Sequence, residues 1–317
     1  MVSGDPEARR GTILRPGDTV AVIAPASPID VESLEEGLEV LRRLGFRPRL
    51  GPGVLDGRGY LAGASDQERA DQLTAAFADP SVAGILCARG GYGAMRLLDR
   101  IDWEVVRRNP KFFGGFSDIT ALHLAMNAQE LVTFHAPMVG AGLAEPENAA
   151  LLYRAMTSAE PLGRLPQPEG GSEILTLSHG KATGRLVGGN LTLLSTSLGT
   201  PWEIQTKGKV VLLEEVHELP YGVDRLLVHL LLAGKLVDAA GIVFGDSPTC
   251  LNRPDGKPSL TLYEVIEDLL IPLGIPLIYG YPCGHSRFRW TLPLNTLVTL
   301  DADEQSLTFH EPGLASC

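Results

Sequence analysis

The sequence predicts an α/β protein in two parts: a parallel sheet covered by helices on both faces, then a smaller α/β domain with a mixed sheet. Three observations carry this. Short apolar, β-branched runs alternate with helical patterns from Thr19 to Phe134, which is the grammar of a parallel sheet. A stretch holding Pro161, Pro166, Pro168, Gly170 and Gly171 then interrupts it, as a linker would. Beyond that stretch the pattern ends in two adjacent runs, Leu297–Leu300 and Ser306–Phe309, which read as a hairpin.

Thr19–Ala24 is a buried strand ended by Pro25. From Val31 to Leu44, leucines 34, 38, 41 and 44 share one helical face, and Gly45 closes the helix. Phe46–Leu50 reads as a strand, Gly51–Gly63 as a glycine-rich loop, and Asp66–Phe77 as a helix stopped by Asp79-Pro80. The third strand, Val82–Ala88, runs into Arg89-Gly90-Gly91-Tyr92-Gly93. Short helical pieces follow at Ala94–Leu98 and Asp102–Arg108. Lys111–Phe116 is the fourth strand, Ile119–Gln129 a helix and Leu131–Phe134 the fifth strand. After a helix at Asn148–Thr157, strands are expected at Ala182–Val187, Lys209–Leu213, Ala240–Phe244 and Pro276–Tyr279. Helices are expected at Val223–Ala233 and Leu260–Leu270. The division expected is a flexible N-terminal tail over 1–15, a first domain over 16–140, a linker over 141–180 and a second domain over 181–317.

The chain has 317 residues, 44% hydrophobic and 21% charged, with a formal net charge of −11. An acidic surface of this kind repels nucleic acid and anionic membranes. No apolar run approaches the ~20 residues that span a bilayer, and Met1–Arg10 lacks the apolar core of a signal peptide. The expectation is a soluble cytoplasmic protein without nucleic-acid or membrane partners. Cys87, Cys250, Cys283 and Cys317 form no C-x-x-C pair, so neither a zinc knuckle nor a disulfide framework is expected.

In a parallel sheet, ligands sit beyond the carboxyl ends of the strands. Ser117 and the Gly90–Gly93 loop both lie at such ends and are expected to share a crevice. A serine at a sharp strand-to-helix turn suits a nucleophile, because its Oγ faces the crevice and the helix N-terminus favours developing negative charge. Serine is equally a preferred helix cap. The glycine loop lacks both the G-x-G-x-x-G and the G-x-x-x-x-G-K-[ST] arrangements, so its converging N–H groups point to an oxyanion or a carboxylate rather than a nucleotide.

A serine nucleophile needs a base, and the base needs a carboxylate. His123 and His229 fall inside helices, His179 in a polar turn and His310 near the C-terminus, while His135 ends a strand in apolar surroundings. His217, within Glu214-Glu215-Val216-His217-Glu218, matches no zinc spacing. His285 sits on a glycine-flanked turn after a strand, where functional residues gather. Glu214 ends an apolar strand and can be held still. Glu214, Glu215 and Glu218 can also form no more than a solvated acidic turn.

At this point the residues resemble a known family. Ala88-Arg89-Gly90-Gly91-Tyr92-Gly93, Gly115-Phe116-Ser117-Asp118-Ile119-Thr120-Ala121 and Gly188-Gly189-Asn190-Leu191-Thr192 are similar, in order, to motifs of the LD-carboxypeptidases, also called muramoyltetrapeptide carboxypeptidases. So are Gly199-Thr200-Pro201-Trp202, Leu213-Glu214-Glu215-Val216-His217-Glu218, Val223-Asp224-Arg225-Leu226-Leu227 and Gly284-His285. The similarity runs from about Gly17 to Leu300. It implies a flavodoxin-like N-terminal domain, a C-terminal domain built on a mixed sheet, and a triad of Ser117 as nucleophile, His285 as base and Glu214 as carboxylate. It implies a serine peptidase releasing terminal D-alanine from the cytoplasmic murein tetrapeptide in peptidoglycan recycling, as a homodimer, with no metal or other cofactor. In that chemistry the Asp118 and Gly91 N–H groups form the oxyanion hole, the Asp118 side chain acts as a cap, and Arg89, Gly90 and Trp202 bind substrate. Two other readings remain: a microcin-immunity-type peptidase acting on peptidyl or aminoacyl nucleotides, and a non-catalytic two-domain ligand-binding protein.

Overall fold

Four of the five side chains of Thr19–Ile23 are buried, and that apolar run forms β1, an inner strand of a six-stranded sheet. The computed structural model describes residues 8–63, 65–250 and 257–316. After β1 come α1 (Val31–Arg43), capped by Asp30 accepting from Ser33 N–H, and β2 (Arg47–Leu50). A small hairpin of β3 (Gly57–Arg58) and β4 (Leu61–Ala62) leads to α2 (Asp66–Ala78), capped by Ser65. Then follow β5 (Val82–Cys87), α3 (Trp103–Arg108), β6 (Phe112–Gly115), α4 (Thr120–Asn127), β7 (Thr133–His135) and α5 (Pro146–Thr157). The second half adds β8 (Gly163–Arg164), β9 (Leu175–Ser178), β10 (Lys181–Asn190), α6 (Leu191–Thr196), β11 (Val210–Glu214) and α7 (Pro220–Leu232). It ends with β12 (Gly241–Gly245), α8 (Leu262–Leu270), β13 (Leu277–Tyr281), β14 (Leu292–Leu294), β15 (Leu297–Asp301) and β16 (Ser306–Phe309).

The first sheet runs β14-β7-β6-β5-β1-β2, and all its pairings are parallel except β14 on β7. The second runs β8-β16-β15-β10-β11-β12-β13-β9, with a parallel centre from β10 to β13 and antiparallel flanks. This is the α/β architecture with a mixed second sheet that the strand patterns predict.

Three features bear on the expected division. In residues 8–15, Arg9 N–H donates to Glu130 O at 2.7 Å and Leu14 N–H to Met156 O at 2.8 Å, with Ala8 and Leu14 buried. Apolar side chains at those two positions find a core, which the polar composition of Met1–Arg10 hides; residues 1–7 lie outside the described residues. The expected linker is structured, because Leu152 and Met156 of α5 are fully buried and β8 and β9 extend the second sheet at its two edges. The prolines and glycines there mark turns between elements rather than a spacer. Finally, β14 belongs by sequence to the second half yet pairs with β7 of the first sheet, Leu292 opposite His135. Pro293, lacking an N–H, is tolerated there because β14 is an edge strand.

The two halves therefore share a core. One cluster of buried side chains takes in Val20, Phe112 and Phe134 from the first sheet with Leu186, Val210 and Leu300 from the second. Asn190 N–H, where β10 ends, donates to Thr120 Oγ1 at the start of α4 (3.0 Å). That contact brings the carboxyl ends of β6 and β11 to face one another.

Candidate active site

Phe112–Gly115 is buried throughout and gives β6 a rigid end. Two residues on, Ser117 adopts φ +64° at the head of a single 3-10 turn, Ser117–Ile119, before α4. A left-handed conformation is costly for a residue with a Cβ and is held only where the surroundings dictate it. Here they do: a Cβ at Gly90 would lie 2.9 Å from Ser117 Cβ, so the glycine is what lets the two loops meet. The Ser117 hydroxyl caps no helix. It bonds His285 Nε2 at 3.1 Å, while His285 Nδ1 bonds Glu214 Oε2 at 2.7 Å. With Nδ1–H donating to the carboxylate, Nε2 is left to accept the serine proton.

Glu214 is completely buried, and its second oxygen, Oε1, has no hydrogen-bond partner. The edge of the His285 ring meets Phe116, with centroids 4.9 Å apart. Consecutive strand residues face opposite ways, and this separates the two neighbouring glutamates. Glu215 accepts from Asn190 Nδ2 (3.0 Å), Thr192 N–H (2.8 Å), Thr192 Oγ1 (2.7 Å) and Val216 N–H (2.9 Å). It ties β11 to α6, and burial raises its carboxyl above the ordinary range. The acidic turn thus splits by role, and only Glu214 reaches the histidine.

Asp118 is 2% exposed and its Oδ2 accepts Ala94 N–H at 2.7 Å, capping the turn that follows the glycine loop. Burial pushes its carboxyl up to about 6, against the two backbone N–H groups that favour the charged form. The glycine loop is braced from β1's side: Ser27 N–H donates to Gly90 O (3.1 Å) and Tyr92 N–H to Ser27 Oγ (3.1 Å). Gly90, Gly91 and Arg89 line one crevice of about 560 Å³ with Ser117 and His285. A second cavity of about 590 Å³ lies along β2 and α2, lined by Arg49, Gln72 and Asp79 among others, and holds no histidine and no member of the hydrogen-bonded set. Size does not distinguish the two; chemistry does.

Trp202 stands apart from the crevice. It packs on Trp103 with ring centroids 5.3 Å apart and is not part of the crevice lining. A half-exposed indole on a turn buries its faces where an apolar partner stands, and α3 supplies one. His135 is buried beneath Phe116 (5.8 Å between rings) with neither ring nitrogen partnered, and burial holds its pKa down to about 4. His123 Nε2 bonds Gly115 O (2.8 Å), His229 Nδ1 bonds Ser195 Oγ (2.8 Å) and His179 meets Asp303. Among the described residues no three His, Cys, Asp or Glu side chains gather as a metal site. Cys87, Cys250 and Cys283 are buried free thiols whose pKa burial pushes up, which makes them poor nucleophiles; Cys317 lies outside the described residues. Sequence reasoning missed Arg289 and Asp30 in the crevice lining. Neither stands in a pattern that signals it, since each is brought there by the loops after β1 and β13.

Two family models match this chain, the LD-carboxypeptidase N-terminal domain over residues 20–136 and the LD-carboxypeptidase C-terminal domain over residues 183–300. A probable murein peptide carboxypeptidase of Bacillus subtilis is 40% identical over 294 residues, covering 92% of each chain. The chain belongs to the LD-carboxypeptidase family. Its relatives' names support a carboxypeptidase role. Ser117 falls in the N-terminal LD-carboxypeptidase region, and Glu214 and His285 in the C-terminal one. Among solved structures, a muramoyltetrapeptide carboxypeptidase from Oxalobacter formigenes superposes with a TM-score of 0.80 at 26% identity, covering 94% of this chain and 100% of that one. The microcin immunity protein MccF, in complex with glutamyl sulfamoyl guanosine, gives 0.88 at 24% identity, covering 96% and 99%. The LD-carboxypeptidase fold is therefore shared across both groups. No helix among the described residues is long and apolar enough to cross a membrane.

Proposed function

We propose that this chain is a serine peptidase that releases the terminal D-alanine of the murein tetrapeptide, cutting after the L-centre of its diamino acid, in the cytoplasm. The observation that carries the reading is the continuous bonding of Ser117 Oγ, His285 and Glu214 across two sheets. In this mechanism Ser117 Oγ attacks the scissile carbonyl as His285 Nε2 takes its proton. Glu214 fixes the ring and stabilises the imidazolium. The carbonyl oxygen, now an oxyanion, accepts from the Asp118 and Gly91 N–H groups; each such donor is worth roughly 10²–10³ in rate. Collapse breaks the C–N bond, and the departing D-alanine amine takes the proton from His285. Water, deprotonated by the same nitrogen, then hydrolyses the acyl-enzyme.

The test is to incubate the protein with murein tetrapeptide and follow D-alanine by mass spectrometry. Wild type is expected to release it, and Ser117→Ala to fall to near background. Absent release by wild type sinks the substrate assignment. Equal release by Ser117→Ala sinks the mechanism and leaves the substrate standing. An aminoacyl sulfamoyl adenosine in parallel reads the microcin-immunity chemistry; cleavage of that compound alone would transfer the site to nucleotide conjugates.

A further inference from the structure

The crevice contains a cation that the mechanism above leaves unused. Arg289, between β13 and β14, lines the same space as Ser117 and His285. Its main chain is pinned: Arg289 N–H donates to Asn148 Oδ1 (2.8 Å), and Asn148 Nδ2 donates to Gly142 O (2.9 Å) and Arg287 O (3.1 Å). Asn148 is itself 1% exposed. The side chain is held as well. Nε donates to Gly284 O at 3.2 Å, and the guanidinium lies over the Phe116 ring, 5.5 Å from its centroid. It passes so close to Gly142 that a Cβ there would stand 2.5 Å from Nη1.

Of the three arginines at this end of the crevice, only Arg287 forms an ion pair among the described residues. Arg287 forms an ion pair with Glu145 at 2.8 Å. Arg89 lies near enough to Asp30 to favour that carboxyl's charged form. Arg289 forms no ion pair with any described carboxylate, although it is the most buried of the three; burial lowers its pKa, and the field of Glu214 opposes that. A fixed, partly desolvated guanidinium without an anion is a standing cost, and its planar fork fits a carboxylate in a way a lysine would not. Phe116 is common to both: its ring meets His285 and Arg289, and Ser117 follows it in the chain. A group bound at Arg289 is thus held beside the nucleophile.

We infer that Arg289, rather than Arg89, binds the free carboxylate at the C-terminus of the peptide and so confines cleavage to the last bond. The inference rests on the proposed peptidase activity. Its test compares the tetrapeptide with its C-terminal carboxamide in wild type, Arg289→Met, Arg289→Lys and Arg89→Met. Wild type is expected to prefer the carboxylate by about 10²-fold in kcat/KM, mainly through KM. Arg289→Met should reduce that ratio to near one, Arg289→Lys should keep part of it, and Arg89→Met should retain it. A merely structural arginine would lower both substrates together and leave the ratio intact, which would overturn the inference, as would collapse of the ratio in Arg89→Met instead. If wild type hydrolyses neither peptide, the proposed function fails, and calorimetry of the same two ligands on Ser117→Ala decides the inference separately. There the carboxylate should bind about 10²-fold more tightly, and only while Arg289 is present; equal affinities, or no binding, would overturn it.

Discussion

At the scale of single residues, Glu214 is the most exacting part of the site, with one oxygen on His285 and the other facing no partner. Glu214→Gln keeps the shape and loses the charge. An amide N–H turned towards Nδ1 makes that nitrogen an acceptor and sends the proton to Nε2, which then cannot accept from Ser117. D-alanine release is expected to fall roughly 10³–10⁴-fold, with the melting temperature not lowered, since a buried charge has been removed. A fall of less than tenfold would show that Glu214 does not set the tautomer. The residues themselves were unevenly visible in the sequence. Ser117 and His285 stand on strand-end turns, a position with its own signature. By pattern alone Glu214 could not be told from Glu215, because strand alternation says that neighbours face opposite ways without saying which face the histidine is on; the family resemblance is what chose it. Arg289 carries no local signal, as its meaning comes from Phe116, Asn148 and Gly142, each distant in sequence.

At the scale of elements, the site is built on sharp turns at strand ends, and Gly284 makes the point. It adopts φ +81°, and a Cβ there would lie 2.6 Å from Glu214 Oε2. Gly284→Ala therefore meets backbone strain and displaces the carboxylate together. We expect a loss of about 1 kcal/mol or more in urea denaturation and at least a 10²-fold loss of D-alanine release; retention of full activity would mean that the turn has slack the geometry does not show. The strands that end in these turns were readable because each is a continuous apolar run, α1 was readable from its leucine spacing and closing glycine, and α2 from the Asp79-Pro80 that stops it. What could not be read was short or paired far away. β14 has three residues, and its place beside β7 depends on a partner more than 150 positions earlier. β8 and β9 are strands only because the edges of the second sheet await them.

For the whole molecule, the shared core and the β14 crossover make the two halves one thermodynamic unit, and the pH response should be read from the buried groups between them. His135 lies in β7, between β6 and β14, and His123 packs below Gly115. Burial holds them near 4 and 3, against an ordinary 6.5. A histidine whose folded pKa is depressed must charge as the chain unfolds in acid, so its stabilising effect is complete above about 6.5 and drains away as pH falls towards the folded value. Asp118, raised to about 6, acts in the opposite sense, the folded state gaining as pH falls from 6 towards 4, and Glu215 is raised in the same direction. The carboxyls lowered by their partners, such as Asp66 and Asp79, titrate below this window. Between pH 7 and pH 5 the two histidines outweigh Asp118, because it begins to take up its proton only near 6. Stability is expected to fall by on the order of 2 kcal/mol over that interval, in a single urea transition followed by both fluorescence and circular dichroism. His135→Leu, which removes a ring with no hydrogen-bond partner, should flatten the slope. A wild type that becomes more stable on acidification, or a His135→Leu slope equal to wild type, would place the dominant titration elsewhere than in β7, the strand on which β14 pairs.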